Sequence, residues 1–160
     1  MNKRTIVGIV VLALAFAASV TPAGAAKTTD PCKTLKQSEI AGALGGATVA
    51  AGQRITSSPV PLCRWTVSAS SSIPDGSLQI FLQTKAAKTT YDMLKKDTAN
   101  YQKVSGLKNG LARPGARSVF LLKGTALLSL TGAFADPTTG DTVEVTDQLI
   151  QLAKKAAPRV

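Results

Sequence analysis

The sequence predicts an α+β domain in which an antiparallel sheet is covered on one face by helices and is held by one disulfide. Apolar residues that alternate with polar ones predict four strands, at 62–69, 78–84, 117–123 and 125–134. Apolar residues with helical spacing occur before the first of these strands, between the second and the third, and after the fourth. Because hairpin signals dominate and strands do not alternate regularly with helices, the sheet is expected to be antiparallel.

The first residues have the pattern of a secretory signal peptide. Two basic residues precede an apolar run at 6–20, and Ala23-Gly24-Ala25 supplies the small residues of a cleavage site. An uncleaved membrane anchor is the alternative, but Thr21-Pro22 ends the run early. We therefore predict a signal peptide at 1–25 and a single secreted or cell-envelope domain at 26–160. We expect no transmembrane segment after cleavage.

The chain has two cysteines, Cys32 and Cys63. In an exported protein such a pair is expected to form a disulfide. The chain-entropy model gives roughly 3–4 kcal/mol for closing a loop of this length. A reactive thiol pair is the alternative, but redox pairs usually have two residues between the cysteines, and this spacing is absent.

The segment between the two cysteines predicts a short helix followed by irregular extended chain. The apolar residues of the helix, which share one side, are Leu35, Ile40, Ala43 and Leu44. Gly45-Gly46 is expected to end the helix, since glycine readily adopts the left-handed conformation found there. Residues 47–58 contain β-branched side chains interrupted by a glycine, which predicts one irregular strand or two short ones.

The single tryptophan, Trp65, shares a strand face with Cys63 and Val67. The opposite face of this strand is mostly polar, so the tryptophan face is expected to point into the core. We therefore predict that Trp65 is buried. The alternative is an exposed indole that stacks on a ligand, such as an envelope sugar.

The second half of the chain predicts a helix at 86–99, a glycine-containing basic loop at 101–115 and a final helix at 142–156. Asp141 and Glu144 are expected to cap the final helix at its N-terminus. Lys154 and Lys155 lie near its C-terminus, where positive charge interacts favourably with the helix dipole.

The chain is strongly basic, with nineteen Lys and Arg residues against nine Asp and Glu residues and a formal net charge of +10. Such a charge favours anionic partners, here an envelope polymer, a lipid or a protein, although it also serves solubility. The candidate anion-binding residues are Lys103, Lys108, Arg113 and Arg117. The alternative is an ordinary solvated loop. Nucleic acid is not expected, because the few aromatic residues are not interleaved with the basic ones.

The sequence favours no catalytic or metal site. It has no histidine, so it lacks the usual general base and the commonest zinc ligand. No phosphate-binding glycine motif occurs in the mature chain. Asp136, Asp141 and Glu144 lack the alternating pattern of a calcium loop. We predict no catalytic residues, no metal and no cofactor.

Short motifs resemble a large family of small exported actinobacterial envelope proteins and lipoproteins of unknown function. The motifs are Asp30-Pro31-Cys32, Ser38-Glu39-Ile40, Ala43-Leu44-Gly45, Cys63-Arg64-Trp65 and Gly106-Leu107-Lys108-Asn109-Gly110. The resemblance implies an α+β domain similar to the extracellular sensor domains of some mycobacterial membrane kinases, with a Cys32–Cys63 bridge and no known catalytic residues. This chain departs from the family in lacking a lipid-acceptor cysteine and in having Lys36 where a threonine is usual.

We therefore expect a monomeric, non-enzymatic domain of the cell envelope that binds or senses a ligand. The alternative is an extracellular enzyme inhibitor or an enzyme of unknown reaction. An inhibitor would need an exposed rigid loop, for which residues 70–76 are the candidate.

Overall fold

Eight strands and three helices form the part of the chain that the computed structural model describes, residues 29–160. The predicted signal peptide lies outside these residues. The strands are β1 (Thr48–Val49), β2 (Gln53–Ile55), β3 (Leu62–Ser68), β4 (Gly76–Gln83), β5 (Gln102–Lys103), β6 (Gly110–Arg113), β7 (Ser118–Lys123) and β8 (Ala126–Phe134). The helices are α1 (Gln37–Ala43), α2 (Ala87–Lys96) and α3 (Thr146–Ala156).

All neighbouring strands of the sheet are antiparallel, which confirms the predicted fold class. Their order is β1-β3-β4-β8-β7-β6-β5, and β2 pairs with β3 along the same edge as β1. The two short strands β1 and β2 agree with the prediction for residues 47–58. The chain between them passes close to the core at Gly52, where a Cβ atom would lie 2.7 Å from the Trp65 ring. Only glycine fits this approach.

The main hydrophobic core lies between one face of the sheet and the helices α1 and α3. Trp65 is 1% exposed and packs in this core, so its predicted burial is confirmed. The other large, fully buried members are Ile40, Leu44, Leu78, Ile80, Leu82, Leu121, Leu128, Leu130, Phe134 and Leu149. Alternation along β3, β4 and β8 places most of their buried side chains on this one face, whereas Leu62 and Leu127 are buried on the other.

Helix α2 lies on the opposite face of the sheet. Its residues Ala87 and Tyr91 pack on Leu111 of β6 and Leu127 of β8 in a second, smaller apolar cluster. The prediction that helices cover one face of the sheet therefore holds for α1 and α3. Helix α2 adds a partial layer over the β6–β8 half of the other face.

Cys32 and Cys63 form the predicted disulfide, with their Cα atoms 5.1 Å apart. The bridge joins a short 3₁₀ turn, Pro31–Lys33, to β3, the strand next to the β1–β2 edge of the sheet. The turn begins at Asp30, whose carboxylate accepts a hydrogen bond from the Cys32 backbone N–H at 3.0 Å. A disulfide is compatible with an oxidising location outside the cytoplasm.

An ion pair ties α1 to the C-terminal end of the chain. The guanidinium of Arg159 meets the Glu39 carboxylate through two hydrogen bonds of 2.7 and 2.8 Å. Arg159 also donates to the Thr34 carbonyl oxygen at 2.9 Å. The same carboxylate accepts the Lys36 backbone N–H at 2.8 Å, so Glu39 supplies the cap that the Lys36 side chain does not. The Arg159 hydrogen bond lowers the pKa of Glu39 from 4.5 to about 2.

This ion pair predicts a loss of stability in acid. Because the pKa of Glu39 is depressed in the folded state, its contribution is present above pH 4.5 and disappears as the pH falls towards 2. The pair is about one fifth exposed, with 19% and 23% of the two side chains accessible, so solvent screens part of the effect. We expect the loss of this pair to lower the free energy of unfolding by about 2 kcal/mol between about pH 6 and about pH 2.5, measured by urea unfolding. Glu39→Gln should lose this part of the pH dependence, and an identical slope in both proteins would refute the assignment.

Two sequence predictions are wrong in the second half of the chain. The segment 101–115 is not a loop but contains the hairpin of β5 and β6, which is stabilised because β6 pairs with β7 along its length. The final helix begins at Thr146 rather than at residue 142. Glu144 caps it, accepting the Thr146 N–H at 2.7 Å, whereas Asp141 lies in the preceding loop and pairs through its backbone with Asp136.

Candidate functional site

Strand β5 forms the outer edge of the sheet and leaves backbone groups unpaired. The Val104 N–H bonds to the Gly110 carbonyl oxygen at 3.0 Å, which makes these two residues a hydrogen-bonded pair of the hairpin. The adjacent pair, Lys103 and Leu111, is therefore a non-hydrogen-bonded pair. The N–H and C=O groups of Lys103 consequently point away from the sheet, where no described strand meets them.

A cleft of about 530 Å³ lies between this edge strand and the beginning of α3. One wall comes from the β5–β6 hairpin and the other from the first two turns of the helix. The polar residues that line it are Gln102, Lys103, Ser105, Glu144, Thr146, Asp147 and Gln148. The apolar residues that line it are Val104, Ala112, Pro114 and Ile150. The lining therefore combines polar and apolar side chains.

The helical wall of the cleft carries one buried hydroxyl and two carboxylates. Thr146 is only 7% exposed, and its hydroxyl oxygen has no hydrogen-bond partner among residues 29–160. A buried hydroxyl without a partner costs free energy. The carboxylates of Glu144 and Asp147 also line this wall and give it a negative charge.

A smaller basic pocket of about 270 Å³ lies on the other side of β5, against α2. Lys95 of α2 and Lys103 of β5 line it together with Tyr91 and Asn109, and no acidic residue takes part in its lining. The pKa of Tyr91 is raised, first by burial and then by the negative charge of Asp92. Lys103 therefore contributes to two neighbouring depressions, one on each side of the edge strand.

The four predicted anion-binding residues do not converge on one site. Lys108 lines a separate depression of about 300 Å³ together with Lys123. The Arg113 guanidinium lies 5.7 Å from the centre of the Tyr101 ring, a cation–π contact. Arg117 adopts a positive φ of 46° beside the end of β7, and its Nε and Nη1 atoms are buried without a partner among the described residues. Only Lys103 belongs to the cleft.

Two other sequence candidates have structural roles. Asp136 accepts the backbone N–H groups of Thr138 and Thr139 at 2.7 and 3.1 Å, and these bonds lower its pKa. The candidate inhibitor loop at 70–76 is fastened to the domain. Ser70 donates to the Leu44 carbonyl oxygen at 3.2 Å, and Ile73 is buried. Within residues 29–160, no group of three His, Cys, Asp or Glu side chains is placed to hold a metal ion.

The geometry defines a disulfide-linked α+β domain with an open sheet edge beside a polar cleft. Comparison of the chain with known protein families, with curated proteins and with solved structures finds no match. Across residues 29–160, none of the helices has the length and apolar character needed to cross a membrane.

The sequence did not point to the main residues of the cleft. Gln102, Thr146 and Gln148 carry no local motif, and they meet only because the hairpin and α3 are neighbours in space. One signal was available for the hairpin itself. Gly106 and Gly110 flank a short turn, and extended chain on both sides of such a turn indicates paired strands.

Proposed function

We propose that this protein is a secreted, non-enzymatic module of the cell envelope that binds an extended, positively charged peptide segment in the cleft between β5 and α3. The observation that carries the proposal is the unpaired edge strand β5, which forms one wall of that cleft. Binding by strand addition uses backbone groups for affinity and neighbouring side chains for specificity.

The backbone of Lys103 supplies the first contact. Its outward N–H and C=O groups can bond to one residue of an added strand, extending the sheet by one member. The side chains of Gln102 and Ser105, next to it along the cleft, offer further donors and acceptors.

The charge of the helical wall selects the ligand. One oxygen of Glu144 accepts the Thr146 N–H and the other is left to meet a ligand, while Asp147 is exposed at the cleft. Two carboxylates favour a peptide with a lysine, an arginine or a free amino terminus, and they disfavour an acidic one. The apolar side chains of Val104 and Ile150 accommodate the uncharged part of the segment.

The test compares two labelled peptides by fluorescence polarisation. Acetylated and amidated Ala-Ala-Lys-Ala-Ala should bind, and the matched peptide with glutamate in place of lysine should bind at least about tenfold more weakly. Asp147→Asn should weaken the lysine peptide by roughly three- to fivefold, because it removes one partly exposed charge contact.

Asp141→Asn is the matched control, since it removes the same charge from an exposed loop outside the cleft. It should leave the affinity for the lysine peptide unchanged. Equal affinity for both peptides, or equal losses in the two variants, would show that the cleft does not select the ligand by charge.

A further inference from the structure

Helix α2 carries an unusual combination of lysines and one exposed apolar side chain. The basic residues of α2 and of the chain beside it are Lys85, Lys88, Lys95, Lys96 and Lys103. Among residues 29–160, Met93 is the large apolar side chain that stands out as exposed, at 67%. Met93 and Lys96 are three residues apart on the helix and therefore lie on the same side of it.

The acidic groups on this face are engaged locally. Asp92 forms an ion pair with Lys88 one turn away. Asp97 accepts hydrogen bonds from the backbone and side chain of Asn100 at distances of 2.9 to 3.3 Å. Lys95 and Lys96 at the end of the helix are not among the described ion pairs, and Lys95 borders the basic pocket with Lys103.

From this arrangement we infer that α2 docks the domain on an anionic phospholipid bilayer, with Met93 entering the interface beside Lys96 and with Lys95 and Lys103 adding positive charge from the flank of the helix. Each lysine close to an anionic bilayer contributes an attraction of about fivefold in affinity. A soluble polyanion would satisfy the lysines equally well, but it would leave Met93 in water. The exposed methionine therefore favours a bilayer, in which an apolar side chain is removed from water.

This docking is independent of the proposed peptide site, because the variants that test it lie on α2 and not in the cleft. Co-sedimentation of the protein with vesicles of phosphatidylglycerol and phosphatidylcholine should show binding that declines with salt. Vesicles of phosphatidylcholine alone should not bind. Lys95→Glu combined with Lys96→Glu should weaken binding to the anionic vesicles at least about 20-fold.

The matched control is Lys154→Glu combined with Lys155→Glu. These two exposed lysines occupy the last turn of α3, on the other side of the sheet, so net charge and helix-dipole effects change equally. The control should lose less than about threefold in affinity, and thermal melting should show that both double variants are folded. Equal losses in the two double variants would attribute binding to net charge and overturn the inference, as would an absence of vesicle binding.

Met93→Ser tests the apolar contact separately. It should weaken vesicle binding by about threefold while binding of soluble dextran sulfate stays the same. Unchanged vesicle binding in this variant would contradict insertion of Met93. Dextran sulfate binding that survives while vesicles fail to bind would identify the partner as a polymer and overturn the assignment to a bilayer.

Discussion

Replacing Trp65 by alanine is expected to lower the free energy of unfolding by about 3–5 kcal/mol, because it leaves a large cavity in the core. The indole is 1% exposed and packs against the edge of the sheet where β1 and β2 meet β3. Gly52 lies directly against its ring, so the chain cannot close the space without moving this edge. Urea unfolding of the two proteins gives the difference.

Met93→Ala provides the control for size and chemistry. Its side chain is also large and apolar but is 67% exposed, so its loss should change stability by less than about 0.5 kcal/mol. Tryptophan fluorescence of the wild-type protein adds a second readout, since Trp65 is the single indole. A red-shifted emission that acrylamide quenches readily would contradict the buried position.

Breaking the disulfide should cost roughly 2–5 kcal/mol, the range typical of a native bridge in a small exported domain. Cys32 and Cys63 are 31 residues apart, and the bridge is the covalent link between the N-terminal turn and β3. The double variant with both cysteines replaced by serine should therefore melt at a lower temperature than the oxidised protein.

Dithiothreitol separates the effect of the bridge from that of the substitution. It should lower the melting temperature of the wild-type protein towards that of the double serine variant and leave the variant unchanged. A wild-type protein whose melting temperature is the same with and without the reductant would show that the bridge does not stabilise the fold.

The sequence was most informative where local pattern and packing agree. Period-two alternation placed Cys63, Trp65 and Val67 on the buried face of β3, and the structure confirms this face. Glycines marked the end of α1, where Gly45 and Gly46 have positive φ values of 66° and 81°. In these segments the residue types themselves determine the conformation and the buried side.

The sequence was least informative where a segment depends on distant partners. Strand β5 is two residues long, and its exposed side chains give no periodic pattern, so residues 101–115 resembled a loop. Strand β6 is held in the sheet by pairing with β7, and the residues of the segment itself do not report this pairing. The cleft was missed for the same reason, because its two walls are joined only through the folded sheet.

The most direct test of peptide binding by strand addition is amide hydrogen exchange at Lys103. With saturating Ala-Ala-Lys-Ala-Ala peptide, the outward N–H of Lys103 should acquire a partner and exchange at least about fivefold more slowly. The N–H of Leu111, which already faces β7 within the sheet, should exchange at an unchanged rate. Peptide binding that leaves the exchange of Lys103 unaltered would contradict strand addition at β5.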